Sequence, residues 1–186
     1  MGGVALVFIG GSETWMLNQT IGILWIKIML TKTFGQLLPG VKIIQHTRYA
    51  DTRGDFCELW KFDADGMRGQ FRQLNIASSV RNVVRGMHRQ NQTKLIMPVY
   101  GQIFDVVLDP EQGKWFGIIL DTATALFIPP QYAHGYQVLS DTAIVQYVVD
   151  APYNKLLEEN FNWSKYNIDW PIQDKVILSQ KDAESK

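Results

Sequence analysis

Three histidines, His46, His88 and His134, are the side chains of this sequence whose ordinary pKa lies near neutrality. The chemistry open to the chain can therefore be weighed one histidine at a time. His88 sits in Arg85-Gly86-Met87-His88-Arg89-Gln90, and His134 in Tyr132-Ala133-His134-Gly135-Tyr136. A metal site on a β-sandwich wants two histidines two apart on one strand, a nearby carboxylate and a later histidine. Gln90 stands where that second histidine would be, and Cys57 is the only thiol. A metal site is therefore not expected, nor is any cofactor. What remains is proton transfer. It needs a base of near-neutral pKa with a partner that fixes its tautomer. It also needs an acid facing the other side of the substrate and a cation where negative charge develops. His88, the tyrosines, Lys94 and several arginines can supply those parts.

Short strands must hold them. Segments 41–49, 56–62, 71–77, 80–90, 94–100, 102–109, 114–120, 125–130, 136–140 and 143–149 are mostly rich in β-branched and aromatic residues. Gly101 and the run Asp109-Pro110-Glu111-Gln112-Gly113 are turn chemistry, and Asp51-Thr52-Arg53-Gly54 reads as another turn. Only 155–160 hints at a helical period. So many strands without crossover helices predict an all-β chain, a jelly-roll β-sandwich whose two sheets enclose a cavity at one end. Trp170-Pro171 reads as packing. Residues two apart on a strand share a face, so Met87 and Arg89 should oppose His88. Arg85 can then enter the same pocket only through an irregularity, and Gly86 marks the place for one. On residue type alone Asp182 would be a solvated tail charge, and Lys94 a solvent-facing residue opening a strand.

Composition bounds the rest. With 186 residues and 46% hydrophobic content the chain suits one domain with its own core. Lys+Arg and Asp+Glu both number 18, so no global field recruits nucleic acid or an anionic membrane. An anionic ligand must be gripped by a few local cations. A lone cysteine fits a reducing, cytoplasmic setting. The apolar run Val4 to Ile9 ends at Gly10-Gly11 without a preceding basic region, unlike a signal peptide. The run Ile21 to Leu30 contains Lys27 and is short against the ~20 residues of a bilayer span. Met16 and Met29 are alternative starts, so residues 1–28 read as an N-terminal extension and 29–186 as the domain.

Several motifs occur in one order: RGMHRQ, KLIMPVYGQIFDVVLD, IPPQYAHGYQVLS, IVQYVVDAPYN, NIDWP and LSQKD, preceded by DTRGDFCELW and FRQLNIASSV. Together they resemble the dTDP-4-dehydrorhamnose 3,5-epimerase family over roughly residues 33 to 182. The resemblance implies a metal-independent, cupin-type jelly roll with short peripheral helices. It implies inversion of C3 and C5, the carbons flanking the ketone of dTDP-4-dehydro-6-deoxy-D-glucose. By the same resemblance His88 is the base, oriented by Asp182, Tyr147 the acid on the opposite face, and Lys94 the partner of the enolate oxygen. Arg85 and His134 would hold sugar and phosphates. Arg53, Glu58, Gln73 and Asn75 would grip the nucleotide-sugar, some of them across a homodimer interface. Tyr153 would stack near the thymine, with Glu158 and Lys181 completing the binding set.

The residue chemistry agrees: arginine forks suit a diphosphate, and a cation suits an enolate. Two other readings stay open, a single-carbon epimerase of a dTDP-4-keto-6-deoxy sugar and a non-catalytic sugar-nucleotide-binding cupin. Gln90 argues against a ketoisomerase, which resembles this family but carries a second histidine there. Two departures from the family pattern stand out. The connection after Asp109 is short, and Met87 and Arg89 replace a leucine and an aromatic residue beside the histidine.

Overall fold

The computed structural model describes residues 5–8, 13–17, 31–59 and 72–185. Its strands are β1 (Ala5–Phe8), β2 (Glu13–Leu17), β3 (Thr31–Phe34), β4 (Lys42–Gln45), β5 (Arg48–Asp51), β6 (Gly54–Cys57) and β7 (Gln73–Val80). They continue with β8 (Val84–Arg89), β9 (Lys94–Tyr100), β10 (Ile103–Asp109), β11 (Lys114–Leu120) and β12 (Thr124–Ile128). The last are β13 (Ala133–Val138), β14 (Thr142–Val149) and β15 (Glu159–Asn160), followed by a one-turn helix, α1 (Gln180–Ala183). Eight strands form one sheet in the order β1-β2-β3-β11-β10-β13-β8-β15, and five form a second in the order β4-β12-β9-β14-β7. β5 and β6 make a separate hairpin. Among the described residues no helix is long and apolar enough to cross a membrane.

Side-chain alternation builds the layers. On β10, Ile103 and Val107 point between the sheets, where they join Ile96, Leu126, Ile128 and Val145 of the smaller sheet. Phe104, Val106 and Leu108, of opposite parity, pack outward against Ile168 and Trp170. The larger sheet is thus covered on both faces, and β10 is buried along its whole length. Each such aliphatic side chain removed from water stabilises the fold by about 1.5–3 kcal/mol. The outer layer is held by Gln137, whose side-chain amide donates to the Ile172 carbonyl (2.6 Å) and accepts from the Ile172 N–H (2.9 Å). Trp170 meets Phe104 and Trp163 edge-on, so the tryptophan of the expected Trp-Pro packing is buried while Pro171 is exposed.

Several expected segments shift. The run 41–49 splits into β4 and β5, because the His46 N–H turns to the Ala123 carbonyl (2.8 Å). The run 80–90 breaks at Asn82, which takes a left-handed conformation (φ 70°). β13 starts three residues early, so Ala133-His134-Gly135, poor strand formers, are carried by their neighbours. The helical hint at 155–160 resolves into a 3-10 turn, Lys155–Leu157, and then β15. The expected extension, residues 1–28, lies largely outside the described residues, as do parts of the expected strands 56–62 and 71–77. The described part of that extension, β1 and β2, pairs as a hairpin that continues onto β3.

The irregularity expected at Gly86 is present. His88 pairs with His134 and Arg85 with Tyr136, so Gly86 and Met87 together face the single residue Gly135. This bulge turns both Arg85 and His88 inward, although their spacing of three would place them on opposite faces of a regular strand. Gly86 has φ 127°, and a Cβ there would lie 2.5 Å from Gly135 Cα and 2.8 Å from the His134 carbonyl oxygen. Only glycine fits that close approach.

Candidate active site

A cavity of about 330 Å3 opens between the two sheets. One wall, from β8 and β13, carries Arg85, His88, His134 and Tyr136. The facing wall, from β7, β9 and β14, carries Gln73, Asn75, Lys94 and Tyr147. Tyr153, Glu158, Lys181 and Asp182 close the rim, and Ala77, Ile96 and Val145 supply apolar surface. His88 and Tyr147 therefore stand on opposite walls of one chamber.

His88 Nε2 lies 2.6 Å from Asp182 Oδ1. Burial works against ionising Asp182, but hydrogen bonds from the His88 ring, Ser179 and the Gly86 amide outweigh it and hold the carboxyl below its ordinary value. An ionised carboxylate only accepts, so Nε2 carries the hydrogen and Nδ1 is left as the basic nitrogen. Asp182 is itself 7% exposed, far from the solvated charge its place in the tail suggests. Ser179 caps α1 by accepting from the Asp182 N–H (3.1 Å), which fixes the carboxylate's approach.

Lys94 opens β9 pointing inward rather than to solvent, and only 8% of its surface is exposed. Its Nζ donates to the His88 carbonyl oxygen (3.3 Å). Burial pushes its pKa down to about 8, against the pull of the Asp105 and Glu158 carboxylates. Burial raises the Tyr147 phenol, with Arg85 opposing, so it is protonated at neutral pH. Arg85 is held by Ser79, whose hydroxyl accepts from its Nε (3.0 Å).

The rim is a chain of contacts. The Tyr153 N–H donates to Gln73 Oε1 (2.8 Å), and Gln73 Nε2 donates to Asn75 Oδ1 (2.7 Å). The Tyr153 hydroxyl donates to Glu158 Oε2 (3.2 Å), and Lys181 Nζ pairs with the same oxygen at 2.6 Å. Glu158 is held below its usual range although burial opposes this, Lys181 being the largest favourable partner. Arg53 and Glu58 are not brought to this cavity. Arg53 lies in the β5–β6 turn, its guanidinium forked onto Asp51, and Glu58 follows β6.

Residues 36–186 match the family model described as dTDP-4-dehydrorhamnose 3,5-epimerase. The chain belongs to that family. The dTDP-4-dehydrorhamnose 3,5-epimerase of Methanothermobacter thermautotrophicus is 36% identical over 166 residues, 80% of this chain and 90% of that protein. The Shigella flexneri enzyme of the same name is 37% identical over 162 residues, 78% of this chain and 89% of that protein. A solved structure is similar too, that of a dTDP-6-deoxy-D-glucose-3,5-epimerase from Legionella pneumophila in complex with dTDP-4-keto-L-rhamnose. It aligns with a TM-score of 0.75 at 32% identity, covering 83% of this chain and 91% of that one. This chain is therefore an isomerase on a cupin-type jelly roll.

The cavity and its walls also hold residues that no sequence motif singled out. Asp105 is fully buried on β10, and its Oδ2 lies 2.9 Å from His134 Nε2, making a second histidine–carboxylate pair beside the first. Its signal was legible: a carboxylate sharing the inward parity of Ile103 and Val107. Tyr136 lines the wall next to Arg85, and burial raises its phenol to about 12. Ser79, Gln90 and Gln92 also face inward as polar residues on or between strands, with Gln92 Nε2 tied to the Ala151 carbonyl (2.7 Å). Among the described residues no three His, Cys, Asp or Glu side chains come together as metal ligands would. Met87 fills the outer core.

Proposed function

We propose that this protein inverts both C3 and C5 of dTDP-4-dehydro-6-deoxy-D-glucose, giving dTDP-4-dehydro-L-rhamnose. The observation that carries the reading is the placement of His88, paired to Asp182, across one cavity from Tyr147. The ketone at C4 acidifies the protons on both flanking carbons. His88 Nδ1 takes one of these protons, and the C–H electrons move into an enolate whose oxygen Lys94 stabilises. The Tyr147 hydroxyl then gives its proton to the opposite face of that carbon, and the electron pair closes a new C–H bond of inverted configuration. Solvent resets both groups, removing the proton from His88 and returning one to Tyr147. Arg85 opposes the charge left on the Tyr147 oxygen. The same set acts once at each carbon. In this reading Arg85 and His134 hold sugar and phosphate oxygens, Tyr153 stacks near the thymine, and Gln73, Asn75, Glu158 and Lys181 hold the rest of the nucleotide-sugar.

NMR of the keto sugar in deuterated water tests this. Deuterium at both C3 and C5 is expected. Exchange at one carbon alone would make the protein a single-carbon epimerase, and binding without exchange would make it a sugar-nucleotide-binding cupin.

We also propose that the working unit is a homodimer. The β5–β6 hairpin exposes Tyr49 and Phe56, and the outer face of β7 exposes Leu74, Ile76 and Val80. A two-stranded hairpin is marginal without packing, and a second copy would give both surfaces a partner. It would also give Arg53 and Glu58 a cavity to serve. Light scattering at micromolar concentration is expected to return twice the 21.3 kDa chain mass; a monomer would remove the proposal.

A further inference from the structure

β15 is only two residues long, and it directly follows Glu158 of the cavity rim. It pairs with β8 through Glu159 opposite Arg89 and Asn160 opposite His88. Backbone pairing over so short an edge strand is weak, and both of its residues are exposed. Arg89 makes up for this. Its Nε and Nη2 fork onto the two oxygens of Glu159 (2.9 and 2.8 Å), and its Nη1 reaches Glu111 in the β10–β11 turn (3.0 Å). Its guanidinium also lies 5.2 Å from the Phe161 ring, just beyond β15. The short turn is built for that contact. Asp109 Oδ1 accepts from the Glu111 and Gln112 N–H groups (3.1 Å each), folding Glu111 back toward β8.

The neighbour of Glu159 faces the other way. Glu158 turns into the cavity and binds Lys181 and the Tyr153 hydroxyl, and Lys181 adjoins Asp182, the partner of His88. We infer that Arg89, on the outer face of β8, is a positioning residue for substrate: by clamping Glu159 it sets Glu158, and through it the Tyr153–Lys181 rim. The inference rests on the epimerase reading given above. The clamp acts mainly locally: Arg89 is 18% exposed in its side chain, but its partners Glu111 and Glu159 are 75% and 53% exposed, so solvent screens the carboxylate side of each pair. Its effect is local order at an element with few other ties.

Arg89→Met and Glu159→Gln test it on the full chain. Hydrogen exchange in residues 153–161 is expected to rise at least tenfold in both variants, with little change elsewhere and little change in Tm. The KM for the dTDP-keto sugar should rise roughly tenfold with kcat falling less than threefold, and the double variant should be no worse than Arg89→Met alone. Unchanged exchange in 153–161, or exchange raised evenly across the chain with a lowered Tm, would overturn the inference. So would a KM within twofold of the parent protein. If the parent protein does not turn over the keto sugar at all, the epimerase reading fails instead, while the exchange experiment still decides whether Arg89 orders the rim.

Discussion

His88→Ala is expected to lower kcat by roughly 10²–10⁴-fold, the usual worth of a placed general base, while leaving dTDP affinity within a few-fold of the parent. The reason lies in the arrangement of the cavity. His88 Nδ1 is the basic nitrogen, because the ionised Asp182 keeps the hydrogen on Nε2. The other histidine of the cavity, His134, is committed to Asp105 at 2.9 Å on a neighbouring strand and cannot take its place without breaking that pair. The groups assigned to the nucleotide, Gln73, Asn75 and Tyr153, bond to one another across the rim and not to His88. Steady-state turnover and calorimetric titration with dTDP check the two halves separately. Near-normal kcat in His88→Ala would remove the base assignment, and lost dTDP binding would make His88 part of the binding surface instead.

Lys94→Met should be the second large effect, a fall in kcat of about 10²–10³-fold, the scale for losing one group that stabilises a developing oxyanion. The ammonium is buried in the cavity wall and anchored on the His88 carbonyl, so methionine would remove a fixed charge from the site. Its pKa of about 8 adds a pH signature. Below that value the group is charged, as the proposed enolate step requires; as pH rises through it the cation is lost, and kcat should decline. Stability runs the other way. The unfolded chain holds the lysine proton up to about 10.4, so between about 8 and that limit it binds more protons than the folded chain, and this group's contribution to stability rises with pH. Below about 8 the folded protein carries the cost of a buried charge. Lys94→Met should therefore melt no lower than the parent at pH 7. A variant with parental kcat and an unchanged alkaline limb would show that Lys94 has only a structural role.

The two effects rest on different physics, which makes them separable. In the proposed mechanism His88 acts through a proton that moves, so its removal should also abolish deuterium incorporation into substrate. Lys94 there acts through a fixed charge, so its removal should slow incorporation at both carbons together.

Much of this site was legible in the chain because the relevant signals are local. Strand period, turn residues and the absence of a second histidine at Gln90 all lie within a few residues of where they act. Gly86 is the sharpest case. Its position between Arg85 and His88 announced a bulge, and the register shift against Gly135 is where the two inward side chains come from. Other features needed the third dimension. Lys94, a candidate for the enolate oxygen, looks solvent-facing on residue type until its strand is seen buried on both faces, and Asp105 gains its role only when His134 on the neighbouring strand meets it. Arg89 had no reading beside His88, since Glu111 and Glu159, 22 and 70 residues away, give it one only when three elements meet.

The sequence by itself determined the local grammar of this protein: an all-β chain, the turns that end its strands, a histidine with glutamine two residues on instead of a second histidine, and a motif order that places it in an epimerase family. These follow from backbone sterics and side-chain alternation, which act over two to five residues. The tertiary structure alone decided which charges meet. The dyad joins residues 94 positions apart, through a carboxylate on a one-turn helix whose place depends on a serine cap and on the packing of everything before it. Hydrogen bonds of 2.6 to 3 Å demand that both partners be fixed in space, and only the closed sandwich, with its rim tied down, fixes them.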